Sequence, residues 1–101
     1  MIKRLTSLDI IAKHLLDRGE TLAVAESVTS GNLQSVFSLA KNTTEFFQGG
    51  ITAYNTGQKS RHLHVDPIVA DRTNCVSGDI ARSMAQGVCK LFSSNWGFGI
   101  T

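Results

Sequence analysis

The chain is poor in several of the residues that announce a specialised protein. Of 101 residues one is proline, two are cysteine, one is tryptophan and one is tyrosine. The single proline, Pro67, leaves no material for a proline-rich linker, and no repeat or low-complexity tract is present. Cys75 and Cys89 form no C-x-x-C pair, which argues for two buried free thiols in a reducing cytoplasm over a disulfide. No apolar run approaches membrane-spanning length, and Asp9, Lys13 and Asp17 interrupt the stretch after Met1-Ile2-Lys3-Arg4, so neither a membrane nor a secretory leader is expected. Charge is sparse as well. Ten Lys/Arg against eight Asp/Glu leave a net +2, and no basic cluster is interleaved with aromatics, so nucleic acid is not an expected partner. What is present, 42% hydrophobic and 18% charged residues, suits a folded domain with a small core. The length makes one domain over 1–101 the default.

Leu8, Ile11, Ala12, Leu15 and Leu16 recur at helical spacing, with Thr6 and Asp9 as a capping box and Gly19 as a stop, predicting a helix over 7–18. Thr21 to Ala25 is a short apolar strand whose lack of alternation predicts burial on both faces. Leu33, Val36, Phe37 and Ala40 give the next helical face, ending near Lys41-Asn42. Gly49 to Tyr54 reads as a second strand, and Thr56 as the cap of a short helix through Leu63. Pro67 suits the first turn of a further helical piece, Ser77 the N-cap of a longer helix, and Trp96 to Thr101 a last strand. Helices alternating with strands predict an α/β layered domain, its small sheet mostly parallel or mixed and flanked by helices.

Chemistry gathers at the strand-to-helix corners. Ser27 stands behind the apolar run Leu22-Ala23-Val24, where a strand ends and helix N–H groups become available to an anion. Tyr54 and Lys59 come after the second strand. A serine, a phenol and an amine so placed make a candidate acyl-transfer site. Each also has a plainer reading. Ser27 can be a turn hydroxyl, Tyr54 a half-buried ring with a wet hydroxyl, and Lys59 a solvated helix residue. Glu26 can cap the following helix or fix the loop, and Thr29 and Ser30 are ready N-caps. Gly49-Gly50 reads as a bend or bulge rather than a phosphate cradle. His62-Leu63-His64 has no third ligand at a recognised spacing, so no metal is expected.

With these segments placed, the chain resembles the CinA C-terminal domain family, known as nicotinamide mononucleotide (NMN) deamidases. The family's Ala-Glu-Ser-Cys-Thr-Gly-Gly run is similar to Ala25-Glu26-Ser27-Val28-Thr29-Ser30-Gly31, with Val28 and Ser30 in place of the Cys and the first Gly. Its Gly-x-x-x-Tyr-(Ser/Asn)-x-x-x-Lys segment and Leu-x-Val match Gly50 to Lys59 and Leu63-His64-Val65. Its Val-Ser and Ala-x-x-Met-Ala helix resemble Val76-Ser77 and Ala81 to Ala85, and Gly99-Ile100-Thr101 the start of its Gly-rich loop. The resemblance covers the chain from about Leu8 onward, and it implies that the family's C-terminal strands are missing, leaving an incomplete domain.

The resemblance further implies an amidohydrolase that converts the carboxamide of NMN to the acid and ammonia without a cofactor. Ser27 would be the nucleophile and Tyr54 and Lys59 the proton-handling pair, with Glu26, Val28, Thr29, Ser30, Gly31 and Thr101 around substrate or oxyanion. A lysine near its ordinary pKa of about 10.4 is a poor base at neutral pH unless burial lowers it. Either the amine is the base, or a cationic lysine supports a tyrosinate base. The alternative is a non-catalytic shortened domain serving nucleotide binding or homo-oligomerisation through an open sheet edge. If the Gly replaced by Ser30 needs positive φ, a serine there costs on the order of 1 kcal/mol.

Overall fold

A computed structural model of the chain describes residues 6–101, so the Met1 to Arg4 start lies outside the described residues. Helix α1 (Ser7–Arg18) leads into strand β1 (Leu22–Glu26), then α2 (Asn32–Ser38), a 3-10 turn (Thr43–Glu45) and β2 (Phe47–Thr52). Helices α3 (Thr56–Leu63), α4 (Pro67–Arg72) and α5 (Gly78–Leu91) come next, and the last element, β3 (Trp96–Gly99), ends two residues before the expected Trp96–Thr101 span. The three strands form one sheet in the order β2-β1-β3, parallel in both pairings.

Central β1 is buried along its whole length, and it separates two apolar layers. Leu22 and Val24 pack with Ala12, Leu15, Phe37, Ala40 and Phe46 on the α1/α2 side. Ala23 and Ala25 pack with Leu63, Val65, Ala70, Ile80, Met84 and Val88 on the α3/α4/α5 side. Period-two alternation thus sorts large residues to one face and small ones to the other. The small face lets α5 come close, because a Cβ added at Gly97 or Gly99 would collide with the carbonyls of Ala85 and Ala81.

The capping signals divide into those the structure keeps and those it changes. The Thr6–Asp9 box forms, with Asp9 N–H donating to Thr6 Oγ1 at 3.1 Å and Thr6 N–H to Asp9 Oδ2 at 3.0 Å, and Gly19 ends α1. Ser77 caps α5 and Pro67 opens α4, whose N-cap Asp66 accepts from Ile68 N–H. Helix α2, in contrast, stops at Ser38 rather than near Lys41. Its last amides, Leu39 and Ala40, turn back three residues, and Asn42 at φ 59° reverses the chain. Asn55, not Thr56, caps α3: its Oδ1 accepts the Gln58 N–H at 2.9 Å. Strand β2 begins and ends two residues before the expected Gly49–Tyr54 span. Its register breaks where Leu22 pairs Phe47 but Ala23 pairs Gly49, a bulge that Gly49 accommodates at φ 123°.

Candidate active site

Because the strands are parallel, the loops after β1, β2 and β3 leave from the same end of the sheet, where ligands bind in open α/β folds. A hollow of about 320 Å³ lies there. Ser27 and Val28 line it from the β1 loop, Tyr54 to Thr56 from the β2 corner, Lys59 from α3, and Thr101 from beyond β3. The segment before α5 adds Asn74, Cys75 and Val76. Ser27, Tyr54 and Lys59 therefore share one cavity although they arise from separate segments.

Their environments differ. Ser27 is 5% exposed and Lys59 2%, whereas Tyr54 is 64% exposed. The Lys59 ammonium has no hydrogen bond or ion pair among the described residues. None of their fully enclosed side-chain N or O atoms lacks a partner, so Nζ must reach the water of the hollow. No acidic side chain lines that space. The result is a lysine head held almost out of water with no acidic side chain in the lining and no ion pair among the described residues. An anion or a developing negative charge in the hollow would find a counter-charge there.

Glu26, Thr29, Ser30 and Gly31 lie outside the lining, and the first three carry the loop instead. The Glu26 carboxylate is fully buried and accepts the N–H groups of Leu33 at 2.8 Å and Gln34 at 2.9 Å and the Thr29 hydroxyl at 2.6 Å. It thus satisfies the first turn of α2, whose N-cap Gly31 offers no side chain. Thr29 and Ser30 do not cap the helix, because Glu26 reaches its amides first. Burial pushes the Glu26 carboxyl up as the largest single influence. The bonds from Thr29, Gln34 and Leu33 together outweigh it and hold the group below the ordinary carboxylate range. Ser30 sits at φ 52°, the left-handed region that its place before Gly31 demands, and its N–H is spent on the Ser27 carbonyl at 3.0 Å. The amides of Val28 and Thr29 have no partner among the described residues.

Asn55, Thr56, Asn74, Cys75 and Val76 also line the hollow; Asn55, Thr56 and Val76 fall within the matched motifs without being expected at the site, and no sequence motif points to Asn74 or Cys75. Asn74 and Cys75 are consecutive left-handed residues, φ 52° and 59°, an arrangement only Asn tolerates readily. The Thr73-Asn74 pair is the one local signal of that reversal. Both cysteines are free and half-buried rather than fully buried. His62 hydrogen-bonds Gln58 Oε1 at 2.8 Å, and His64 ends α3 at φ 58°. Among the described residues no group of three or more His, Cys, Asp or Glu converges, and no helix is long and apolar enough to cross a membrane.

The chain and its fold have known counterparts. A CinA-like protein of Prochlorococcus marinus is 38% identical over 93 residues, 92% of this chain and 22% of its own length. One from Trichodesmium erythraeum is 40% identical over 92 residues, again 22% of its length. The solved competence-damaged protein (CinA) superfamily protein of Escherichia coli superposes with a TM-score of 0.82 at 25% identity, over 93% of this chain and 59% of that one. A competence or damage-inducible protein from Enterobacter asburiae gives 0.82 at 30% identity, over 87% and 55%. The chain therefore spans about a fifth of the curated relatives and under two thirds of the solved ones. The family description "CinA C-terminal domain" matches residues 5–101, and the chain belongs to that family.

Proposed function

We propose that the hollow is the site of an amide hydrolysis on a nicotinamide mononucleotide-like substrate, carried out in the cytoplasm without a cofactor. The observation that carries the reading is Lys59, nine-tenths buried and unpaired, facing the same cavity as the Ser27 hydroxyl. Ser27 Oγ attacks the carboxamide carbon while its proton passes either to a Tyr54 tyrosinate supported by cationic Lys59 or to Lys59 in its neutral amine form. The tetrahedral oxyanion lies toward the unpaired amide of Val28 in the wall of the hollow, and collapse breaks the C–N bond as ammonia leaves with a proton. Water then cleaves the acyl-serine ester and restores the hydroxyl. Thr101 closes one side of the substrate's path.

Incubation of the purified chain with NMN, with ammonia as readout, tests this. Wild type releases ammonia, Ser27→Ala and Lys59→Met lower the rate at least about a hundredfold, and Tyr54→Phe lowers it less if Lys59 is the base. Ammonia release that survives both of the first two substitutions overturns the mechanism. The exposure of Tyr54 favours one second reading, nucleotide binding without turnover in a hollow open to water. Calorimetry that detects NMN binding where no ammonia is formed would select it.

A further inference from the structure

The proposed reaction leaves one reactive group of the hollow unused, the Cys75 thiol. Cys75 lines the cavity and packs in part against the apolar layer on the α3/α4/α5 side, with its sulfur 3.0 Å from Thr56 Oγ1. The backbone behind it is pinned from three sides. Cys75 N–H donates to the Ala70 carbonyl at 2.8 Å, Val76 N–H to Thr73 at 3.0 Å, and the Thr101 hydroxyl to the Cys75 carbonyl. Two successive left-handed residues, Asn74 and Cys75, are the conformation these bonds enforce. The backbone of Cys75 is thus fixed in the wall of the hollow, and the Thr56 hydroxyl is the polar neighbour of its sulfur. Facing the same space is the unpartnered Lys59 ammonium, with no acidic side chain in the lining.

Cys89 provides the contrast within one chain. It is equally half-buried, but its S–H donates to the Ser94 carbonyl at 2.9 Å, away from the hollow and from Lys59.

We propose that Cys75 is a modification site that takes small anionic disulfides by exchange, with Lys59 attracting their negative charge. The Cys75 thiolate attacks one sulfur of the disulfide and a Cys75 S–S bond forms. The original S–S bond breaks, and the other half leaves as a thiolate. Cys75 is oxidised, the leaving half is reduced, and the thiol proton passes to solvent, so no further oxidant is needed. The adduct fills the hollow. On the proposed amidase reading this switches the site off until a thiol reductant removes the adduct.

The test uses the intact chain with dithiobis-nitrobenzoate as anionic disulfide and dithiodipyridine as neutral one, with mass spectrometry locating the adduct. Dithiobis-nitrobenzoate reacts at least about tenfold faster at Cys75 than at Cys89, and the fast phase is lost in Cys75→Ser and kept in Cys89→Ser. Lys59→Gln lowers the anionic-to-neutral rate ratio at Cys75 about three- to tenfold. Preferential labelling of Cys89, equal rates at the two thiols, or a ratio unmoved by Lys59→Gln overturns the proposal. None of these readouts involves NMN turnover, so they stand or fall separately from the amidase reading.

Discussion

Glu26 occupies the last position of a fully buried strand, and its charge is tolerated because two amides and a hydroxyl converge on it. Replacing it by Gln sets an NH₂ against donors, and the loss should be about 1–3 kcal/mol at pH 7, read from denaturant midpoints. Because the folded-state carboxyl is depressed, the unfolded chain binds more protons between the two pKa values. The stabilisation is therefore complete above the unfolded glutamate value of about 4.3 and is lost as pH falls through the folded one. Wild type and Glu26→Gln should converge in stability as pH falls from the unfolded value through the depressed folded one, and a gap independent of pH would refute this account. Lys59 is the opposite case, a buried polar head with no partner. Lys59→Met should raise the unfolding free energy by about 1 kcal/mol, read from a higher denaturant midpoint, while ammonia release falls at least about a hundredfold, the signature of a group kept for function at the expense of stability.

At the scale of elements, the closeness of α5 to the sheet depends on β3 having no side chain at Gly97 and Gly99. Gly99→Ala drives a methyl into the Ala81 carbonyl, where backbone rather than a flexible side chain must yield. A destabilisation of at least about 2 kcal/mol is expected by thermal or chemical unfolding. Gly57, inside α3, is the counter-example, since a Cβ there meets nothing nearer than Asn55 Oδ1 at 3.6 Å. Gly57→Ala should stabilise by about 0.5–1 kcal/mol through helix propensity alone. The two elements with strong periodicity and good caps, α1 and α5, were legible from Thr6, Gly19 and Ser77. Helix α2 was not, because Ala40 continues an apolar spacing that the backbone abandons at Ser38. Nor was the cap of α3, where Asn55 and Thr56 are both competent and only the extended backbone of Asn55 decides between them.

At the scale of the molecule, β1 is paired on both sides, while β2 and β3 each leave one side unpaired among the described residues. Trp96, 49% exposed on β3, borders an apolar groove with Ile11, Leu15, Leu22 and Phe98. An open edge beside an apolar groove favours pairing with a second copy, so self-association at micromolar concentration is expected. Sedimentation should show it, and Trp96→Lys should shift the chain toward monomer. A folded monomer for wild type under the same conditions would remove the expectation.

Local order was determined by the sequence alone wherever neighbours along the chain supply the physics: apolar spacing, a capping box, a proline in a first turn, an unbroken apolar strand. The same holds for the α/β layering, since alternating helices and a short buried strand leave few other ways to cover both faces of a sheet. Tertiary structure alone decided which polar groups meet. The Ser27, Tyr54 and Lys59 side chains reach one hollow because parallel pairing brings the ends of β1 and β2 to the same side. Cys75 joins them because two left-handed residues turn it inward. Between the roles its position allowed, substrate contact or helix cap, Glu26 took the cap, because Gly31 offers the α2 amides no side chain. The contacts across the hollow join residues distant in sequence, which no local pattern encodes, whereas the Glu26 cap spans only a single loop.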